Sequence, residues 1–395
     1  MDMELIHTPE GVRDIYGKEY ANKLAVQNIL HKQIHLYGYQ DIQTPTFEYF
    51  DVFGKEIGTT PANDLFKFFD SDGNILCLRP DFTPSVARCA AKYFAEEDLP
   101  LRLSYVGNTF SNTSLLQGKL KETTQMGAEL MGDSSVEADG EMIAMVIDSL
   151  LKTGLTQFQV SIGEVDFFKG ICEDAKLTKV QENVIRDYIS NKNFFAVEEY
   201  LQSEVIAEDK IAMIMAIEDL YGSMDMLEEA GKFSDHPLVK NALERLSSLY
   251  QILCQYQVEK YVSFDLGMLS SYQYYTGIIF KVYTIGIGDV VVKGGRYDKL
   301  LPYFGKNSPA IGFVIVIDDL MQALKRQKIE VPMEDNHLLI VYDAAGFSEA
   351  LKEAKDHRAK GIHVQLMSYD DKKTKNSYEM YASTRGISRV IYLLK

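Results

Sequence analysis

Cysteine is scarce, and what there is stands apart. Cys77, Cys89, Cys172 and Cys254 are the only four in 395 residues, and no two form a C-x-x-C pair. That excludes zinc-ribbon and thioredoxin-type readings and leaves isolated thiols of a reducing compartment. Long apolar runs are missing too. No stretch of about 18 apolar residues occurs, so no membrane span is expected. The opening residues Met1 to Ile6 are acidic and short, unlike a secretory signal, so a cytoplasmic protein is expected. Basic charge is in deficit: 41 Lys and Arg face 57 Asp and Glu, a formal net charge of −16. Such a chain repels polyanions as a whole, which disfavours nucleic acid as a partner. There is no G-x-x-x-x-G-K-[ST] phosphate loop, no internal repeat and no low-complexity tract. His31 and His35 stand four apart on the expected surface of the first helix, but no His-Cys-Asp cluster is evident. Neither metal nor cofactor is expected.

Hydrophobic residues make up 46% and charged residues 25%, as in a soluble globular protein of two or three domains. Residues 18–37 read as an amphipathic helix with a stripe of Leu24, Ile29, Leu30, Ile34 and Leu36. A strand is expected from Asp41 to Phe47, at an edge because of Pro45. Phe66–Phe69 and Ile75–Leu78 read as a hairpin about Asp72-Gly73, and Leu101–Phe110 with Lys121–Leu130 as a second. Val136–Leu151 reads as a helix and Phe158–Ile162 as a buried strand. Residues about 168–260 form a helical insertion. Strands are expected again at Tyr261–Leu266, Ile278–Tyr283 and Val290–Val292, then a helix at about Ile317–Gln327. After a linker at Ile329–Glu334, residues 335–395 alternate as β-α-β-α-β. Residues 331–395 hold ten basic and nine acidic side chains, so the negative charge sits in the first 330 residues. The fold class is α+β: a largely antiparallel sheet with flanking helices over 1–328, interrupted by the helical insertion, and a small C-terminal α/β domain.

Seven segments are distinctive: Thr8-Pro-Glu-Gly-Val-Arg-Asp14, Tyr37-Gly-Tyr39 running to Pro45, Leu78-Arg-Pro-Asp-Phe-Thr-Pro84, Gln125-Met-Gly-Ala-Glu-Leu-Met-Gly132, Tyr274-Tyr-Thr-Gly277, Gly294-Gly-Arg-Tyr-Asp298 and Pro309-Ala-Ile-Gly-Phe313. In this order they resemble the catalytic core of histidyl-tRNA synthetase, a class II aminoacyl-tRNA synthetase, over about residues 5–325. The resemblance implies that the amino acid is held by Asp81, Thr83, Gln125, Glu129, Tyr274, Tyr275 and Tyr297. Of the two neighbouring tyrosines, strand alternation lets only one face a pocket, and Tyr275 is preferred. Carboxylates suit an ammonium and imidazole nitrogens, and Tyr and Gln complete the hydrogen bonding. Arg79 and Arg296 read as core anchors through ion pairs. Gly294-Gly295, taken alone, would be only a tight turn.

The departures are on the nucleotide side. Where the family carries Phe-Arg-x-Glu, this chain has Phe110-Ser111-Asn112-Thr113. Where the family ends motif 3 in Glu-Arg-Leu, it has Asp318-Asp319-Leu320. A catalytic arginine is matched by Ser270. Activating an amino acid builds negative charge on the ATP α-phosphate, and each lost cationic donor costs roughly 2.7–4 kcal/mol of transition-state stabilisation. Lys119 and Lys121 do not restore the bidentate geometry.

A pocket kept beside a stripped nucleotide site is similar to the synthetase-like regulatory subunits of ATP phosphoribosyltransferase. That resemblance implies a non-catalytic subunit with histidine as effector and the short-form catalytic subunit as partner. It also implies a homodimer through the motif 1 region, about Tyr37–Glu48, within a hetero-oligomer, and no tRNA. The C-terminal domain would be a shortened anticodon-binding domain. The alternatives are a histidyl-tRNA synthetase-like enzyme and a stand-alone amino-acid-binding paralogue.

Overall fold

In the computed structural model the described residues are 6–54, 60–97, 100–112, 120–204, 206–269, 275–332 and 336–395. The expected ligand Tyr274, the departures Thr113 and Ser270, and Lys119 lie outside them, as do residues 333–334 of the expected linker and residue 335 after it. The chain divides into two compact units, Met1–Arg13 with Val26–Glu330, and Asp14–Ala25 with Val331–Lys395.

Helix α1 spans Gly17–Leu36. The stripe it buries is Val26, Leu30 and Ile34, whereas Leu24 and Leu36 are exposed. The expected stripe was therefore right only in part. A strict i, i+4 row from Val26 keeps one face, while residue 24 lies off it. The expected strand over 41–47 is two short ones. Strand β1, Gln40–Asp41, runs parallel to β5, Leu101–Phe110. Strand β2, Phe47–Tyr49, joins β4, Ile75–Leu78, which also pairs β3, Lys67–Phe69. Pro45 has no N–H for a ladder, and the carbonyls of Thr44 and Pro45 are taken by Arg79. The β3–β4 turn forms as expected. Gly73 takes φ +84, and the Asp70 carboxylate accepts from the N–H groups of Asp72 and Asn74.

Helix α2 covers Thr83–Tyr93. The long hairpin of β5 and β6, Glu122–Met131, is the spine of the main sheet. Helix α3, Val136–Lys152, is capped by Ser135, whose side chain accepts from the Ala138 N–H. Strand β7, Phe158–Glu164, is followed by the helical insertion: α4 Val165–Asp174, α5 Lys179–Ser190, α6 Phe194–Ser203, α7 Glu208–Met215, the two-residue strand β8 Tyr221–Gly222, α8 Asp225–Ala230 and α9 Pro237–Gln255. Then come β9 Val262–Asp265, β10 Ile278–Thr284, β11 Val292–Arg296, α10 Leu300–Tyr303, β12 Ala310–Val316 and α11 Ile317–Arg326.

The nine-stranded sheet has the order β1-β5-β6-β12-β11-β10-β7-β9-β8. It is antiparallel except at β1–β5 and β7–β9. Two expectations near residue 294 change. The strand expected at Val290–Val292 begins at Val292 instead, and Gly294-Gly295 lies within it rather than in a tight turn. A Cβ on Gly294 would stand 2.2 Å from the Phe280 ring and 2.7 Å from the Gly312 carbonyl. Only glycine allows this packing. Strand β12 was recognised in the sequence as a motif, not as a strand.

In the second unit, β13 His337–Tyr342, α12 Phe347–Ala359, β14 His363–Ser368, α13 Lys375–Thr384 and β15 Arg389–Leu393 form a parallel sheet of order β14-β13-β15.

Candidate functional site

Strand β6 supplies the site's central acid. Gln125, Gly127 and Glu129 alternate onto one face of the sheet. In register across β12, β11 and β10, Glu129 is followed by Gly312, Gly295 and Ile279. The two glycines make a floor without side chains. A Cβ on Gly312 would lie 1.6 Å from Glu129 Oε2, and one on Gly295 would lie 2.7 Å from the Tyr275 ring. The glutamate and the tyrosine therefore lie across bare backbone. From β5, Tyr105 opposes Gly127 and covers it, its hydroxyl 2.5 Å from where a Cβ would be.

Glu129 is buried. Its Oε1 accepts from the Thr83 hydroxyl at 3.0 Å and the Tyr105 hydroxyl at 3.1 Å, and its Oε2 from the Tyr297 hydroxyl at 2.5 Å. Among the described residues no basic side chain forms an ion pair with it. Burial therefore dominates, and the pKa is pushed up to about 8, helped by the negative charge of Asp81 and opposed by the three hydroxyls. Asp81 stands just before α2, where its Oδ1 accepts from the Thr83 N–H at 3.1 Å. Burial raises its pKa too, and the charge of Lys293 works against that rise.

These groups surround a cavity of about 120 Å³. Asp81, Thr83, Gln125, Tyr275 and Tyr297 line it, and Glu129 lies beneath, bonded to two of them. The Gln125 amide oxygen is buried without a hydrogen-bond partner. A buried acceptor left open in this way is costly unless a ligand donates to it. Sequence reasoning missed Lys293, the one cation in the wall among the described residues, and Tyr105. Lys293 sits on β11 opposite Val314 and Lys281, a cross-strand proximity with no local signal. A wider depression of about 640 Å³ on the helical insertion has both its acids already engaged, since Asp174 pairs with Lys210 and Ser234, and Asp235 with Lys240.

The two arginines anchor the core by different means. Arg296 makes the expected ion pair. Its Nη2 is 2.6 Å from Asp139 Oδ1 on α3, and Arg245 Nε from α9 is 2.9 Å from Oδ2 of the same acid. Arg79 does not. It donates to the carbonyls of Asn108 at 2.8 Å and Thr44 at 3.0 Å, and its guanidinium lies 4.0 Å from the Phe82 ring centroid. Burial outweighs the charge of Glu48 and holds its pKa below the usual value.

On the nucleotide side, Asp318 Oδ2 accepts from the Thr124 N–H at 2.6 Å. Asn108 links Glu122 and Thr124 at 2.6 and 2.8 Å. Lys121, the described lysine on this side, has its ammonium 3.4 Å from Asn112 Oδ1.

The histidyl-tRNA synthetase family model matches residues 11–320. An ATP phosphoribosyltransferase regulatory subunit from Acetivibrio thermocellus is 39% identical over 98% of this chain and 93% of that protein. A solved ATP phosphoribosyltransferase regulatory subunit/histidyl-tRNA synthetase from Bacillus halodurans is 31% identical, with a TM-score of 0.89 over 99% of both chains. A histidyl-tRNA synthetase from Nostoc, 19% identical with a TM-score of 0.81 over 97% of this chain and 90% of that one, shares the fold. No described helix is long and apolar enough to cross a membrane.

Proposed function

The chain belongs to the histidyl-tRNA synthetase-like family of ATP phosphoribosyltransferase regulatory subunits, and from that premise we propose how it regulates. Its place is in histidine biosynthesis, and its partner is the catalytic ATP phosphoribosyltransferase. We propose that the pocket over Glu129 holds histidine as the feedback effector. One observation carries the reading: among the described residues, a buried carboxylate hydrogen-bonded by three hydroxyls and no cation, beside Asp81 and below an open amide oxygen on Gln125. Such a site takes a ligand with several nitrogen donors and positive charge. Lys293 would meet the ligand's carboxylate.

We further propose that the chain does not activate amino acids, because Ser111, Ser270 and Asp319 stand at positions where the family carries the arginines that stabilise the ATP phosphates. Residues 1–328 would be the effector-binding core and 335–395 a remnant anticodon-binding module without tRNA. The proposed setting is the cytoplasm, as a homodimer through about Tyr37–Glu48 inside a hetero-oligomer. Feedback then requires histidine to bind the less active state of that assembly more tightly than the active one.

The deciding experiment mixes the chain with the short catalytic subunit and follows phosphoribosyl-ATP formation. Activity should depend on this chain and fall with histidine. Absence of stimulation, or histidine-dependent ATP–pyrophosphate exchange by this chain alone, would overturn the reading. Lys293→Met separates the parts of the ligand. Because the lysine is largely exposed, histidine should bind about two- to tenfold more weakly. Histamine, which lacks the carboxylate, should bind as before. Equal losses for both in calorimetry would remove Lys293 from carboxylate recognition.

A further inference from the structure

We infer that His31, His35 and Asp41 form a binding site for a divalent transition-metal ion of the zinc class. The two histidines lie one turn apart on α1, so their rings share a face, with centroids 4.1 Å apart. Sequence spacing showed that pair but no third donor. Gly38 supplies the reversal. At φ +82 it ends the helix, with its N–H on the His35 carbonyl at 2.9 Å, and returns the chain to the helix's last turn. Asp41 on β1 then faces both rings. His31 Nε2 is 2.9 Å from each carboxylate oxygen, and His35 Nε2 is 3.1 Å from Oδ1.

The three donor atoms lie within 4.8 Å of one another. A tetrahedral ion with bonds of about 2.0–2.2 Å holds its ligands about 3.4 Å apart. To admit it the two His–Asp contacts open by about half an ångström or less, and the two imidazole donors, within 4.8 Å of each other, settle to the same spacing. Two imidazoles and one carboxylate are the donor set of open zinc sites, and the cluster is exposed enough for water to complete the coordination. The carboxylate is also oriented from behind: Ser104 Oγ on β5 donates to Asp41 Oδ1 at 3.1 Å, and the Ile42 N–H is fixed on the Ser104 carbonyl at 2.8 Å. The ion would fasten the start of the motif 1 strand to the helix before it.

The test uses the full chain without a polyhistidine tag, stripped with chelator and kept in its solution oligomeric state. Zn²⁺ is titrated in competition with a chromophoric chelator, and Co²⁺ is followed by its visible absorption. One equivalent per chain is expected, with a four-coordinate Co²⁺ spectrum and a rise in Tm. His35→Gln and Asp41→Asn should each weaken binding at least roughly tenfold, with unchanged circular dichroism. His35→Gln keeps a polar side chain at an exposed position, so folding is retained. Unchanged affinity in both variants, loss of the site on replacing Cys89 or Cys254 instead, or no stoichiometric binding would overturn the assignment. The cluster would then be only a hydrogen-bonded tie between helix and strand.

Discussion

Glu129→Gln should weaken histidine binding by about 1.5–3 kcal/mol while making the ligand-free chain more stable at alkaline pH. The two effects have one cause. In the unfolded chain the carboxyl titrates near its ordinary value of 4.5, and in the folded pocket near 8. Between these values the native state holds a proton that the unfolded state has released. Stability therefore falls as pH rises from about 4.5 to 8 and levels off above that. A gap of this size corresponds to a loss on the order of 3–5 kcal/mol at pH 8.5. Glutamine is neutral throughout and retains a carbonyl for the hydroxyls. Glu164, buried at the start of α4 and also pushed up to about 8, keeps its own share of the slope. The variant should show a shallower decline, not a flat line. Urea unfolding at pH 6 and pH 8.5 measures it, and parallel declines in wild type and variant would refute the account. A cationic ligand that ionises Glu129 also expels its proton. Histidine affinity should then rise with pH up to about 8, by at most about tenfold per unit. Calorimetry in buffers of different ionisation enthalpy should detect the released proton.

Asp139→Ala should cost about 3–5 kcal/mol of folding stability without a direct contact to the pocket. Asp139 is fully buried, and the Arg296 side chain is only 4% exposed. Removing the acid leaves a guanidinium that cannot reach water with only the Asp133 and Ser135 carbonyls and a longer contact to Asp298 at 3.4 Å among the described residues. Arg245, 26% exposed, can turn outward and adds less. Combining Asp139→Leu with Arg296→Met should recover much of the loss, since the penalty belongs to a buried charge deprived of its main partner and not to a missing attraction. Denaturant midpoints of the single and double variants decide it. A double variant no better than the single one would contradict this reading. Because Arg296 ends β11 next to Tyr297, the single variant should also loosen histidine binding, and the double variant less so.

Much of the site was legible because its residues sit in short segments whose order resembles one family. Asp81, Thr83, Gln125, Tyr275 and Tyr297 converge on one cavity, and Glu129 lies below them. Lys293 was not legible, since β11 reaches the Gln125–Glu129 strand only through β12, which pairs with β6 from far along the chain, and Tyr105 was not, since it lies in none of the segments that carry the resemblance. The Asp72-Gly73 turn and the β5–β6 hairpin could be read locally because turn chemistry and alternation are local signals. Strand β12 could not. It is buried in mid-sheet and carries a glycine where Glu129 crosses it, so it shows no polar alternation. Arg79 was misread as an ion-pair partner because a guanidinium satisfied by carbonyls leaves no acidic counterpart in the sequence. The third donor of the His31–His35 pair was hidden for a related reason: the reversal at Gly38 is a property of the fold.

The position of β12 also dictates when the molecule can be completed. It joins β6 on one side and β11 on the other, although its residues follow both in the chain. As the polypeptide leaves the ribosome, the β5–β6 hairpin and the β10–β11 ladder must each wait with an open edge until residues 310–316 emerge. Open edges are where strands of different chains join, so the nascent protein is most prone to aggregate during that interval. Gln125 and Glu129 belong to the earlier half, and Lys293 and Tyr297 to the later. The pocket over Glu129 therefore comes into being in a single late step, when one strand closes the sheet.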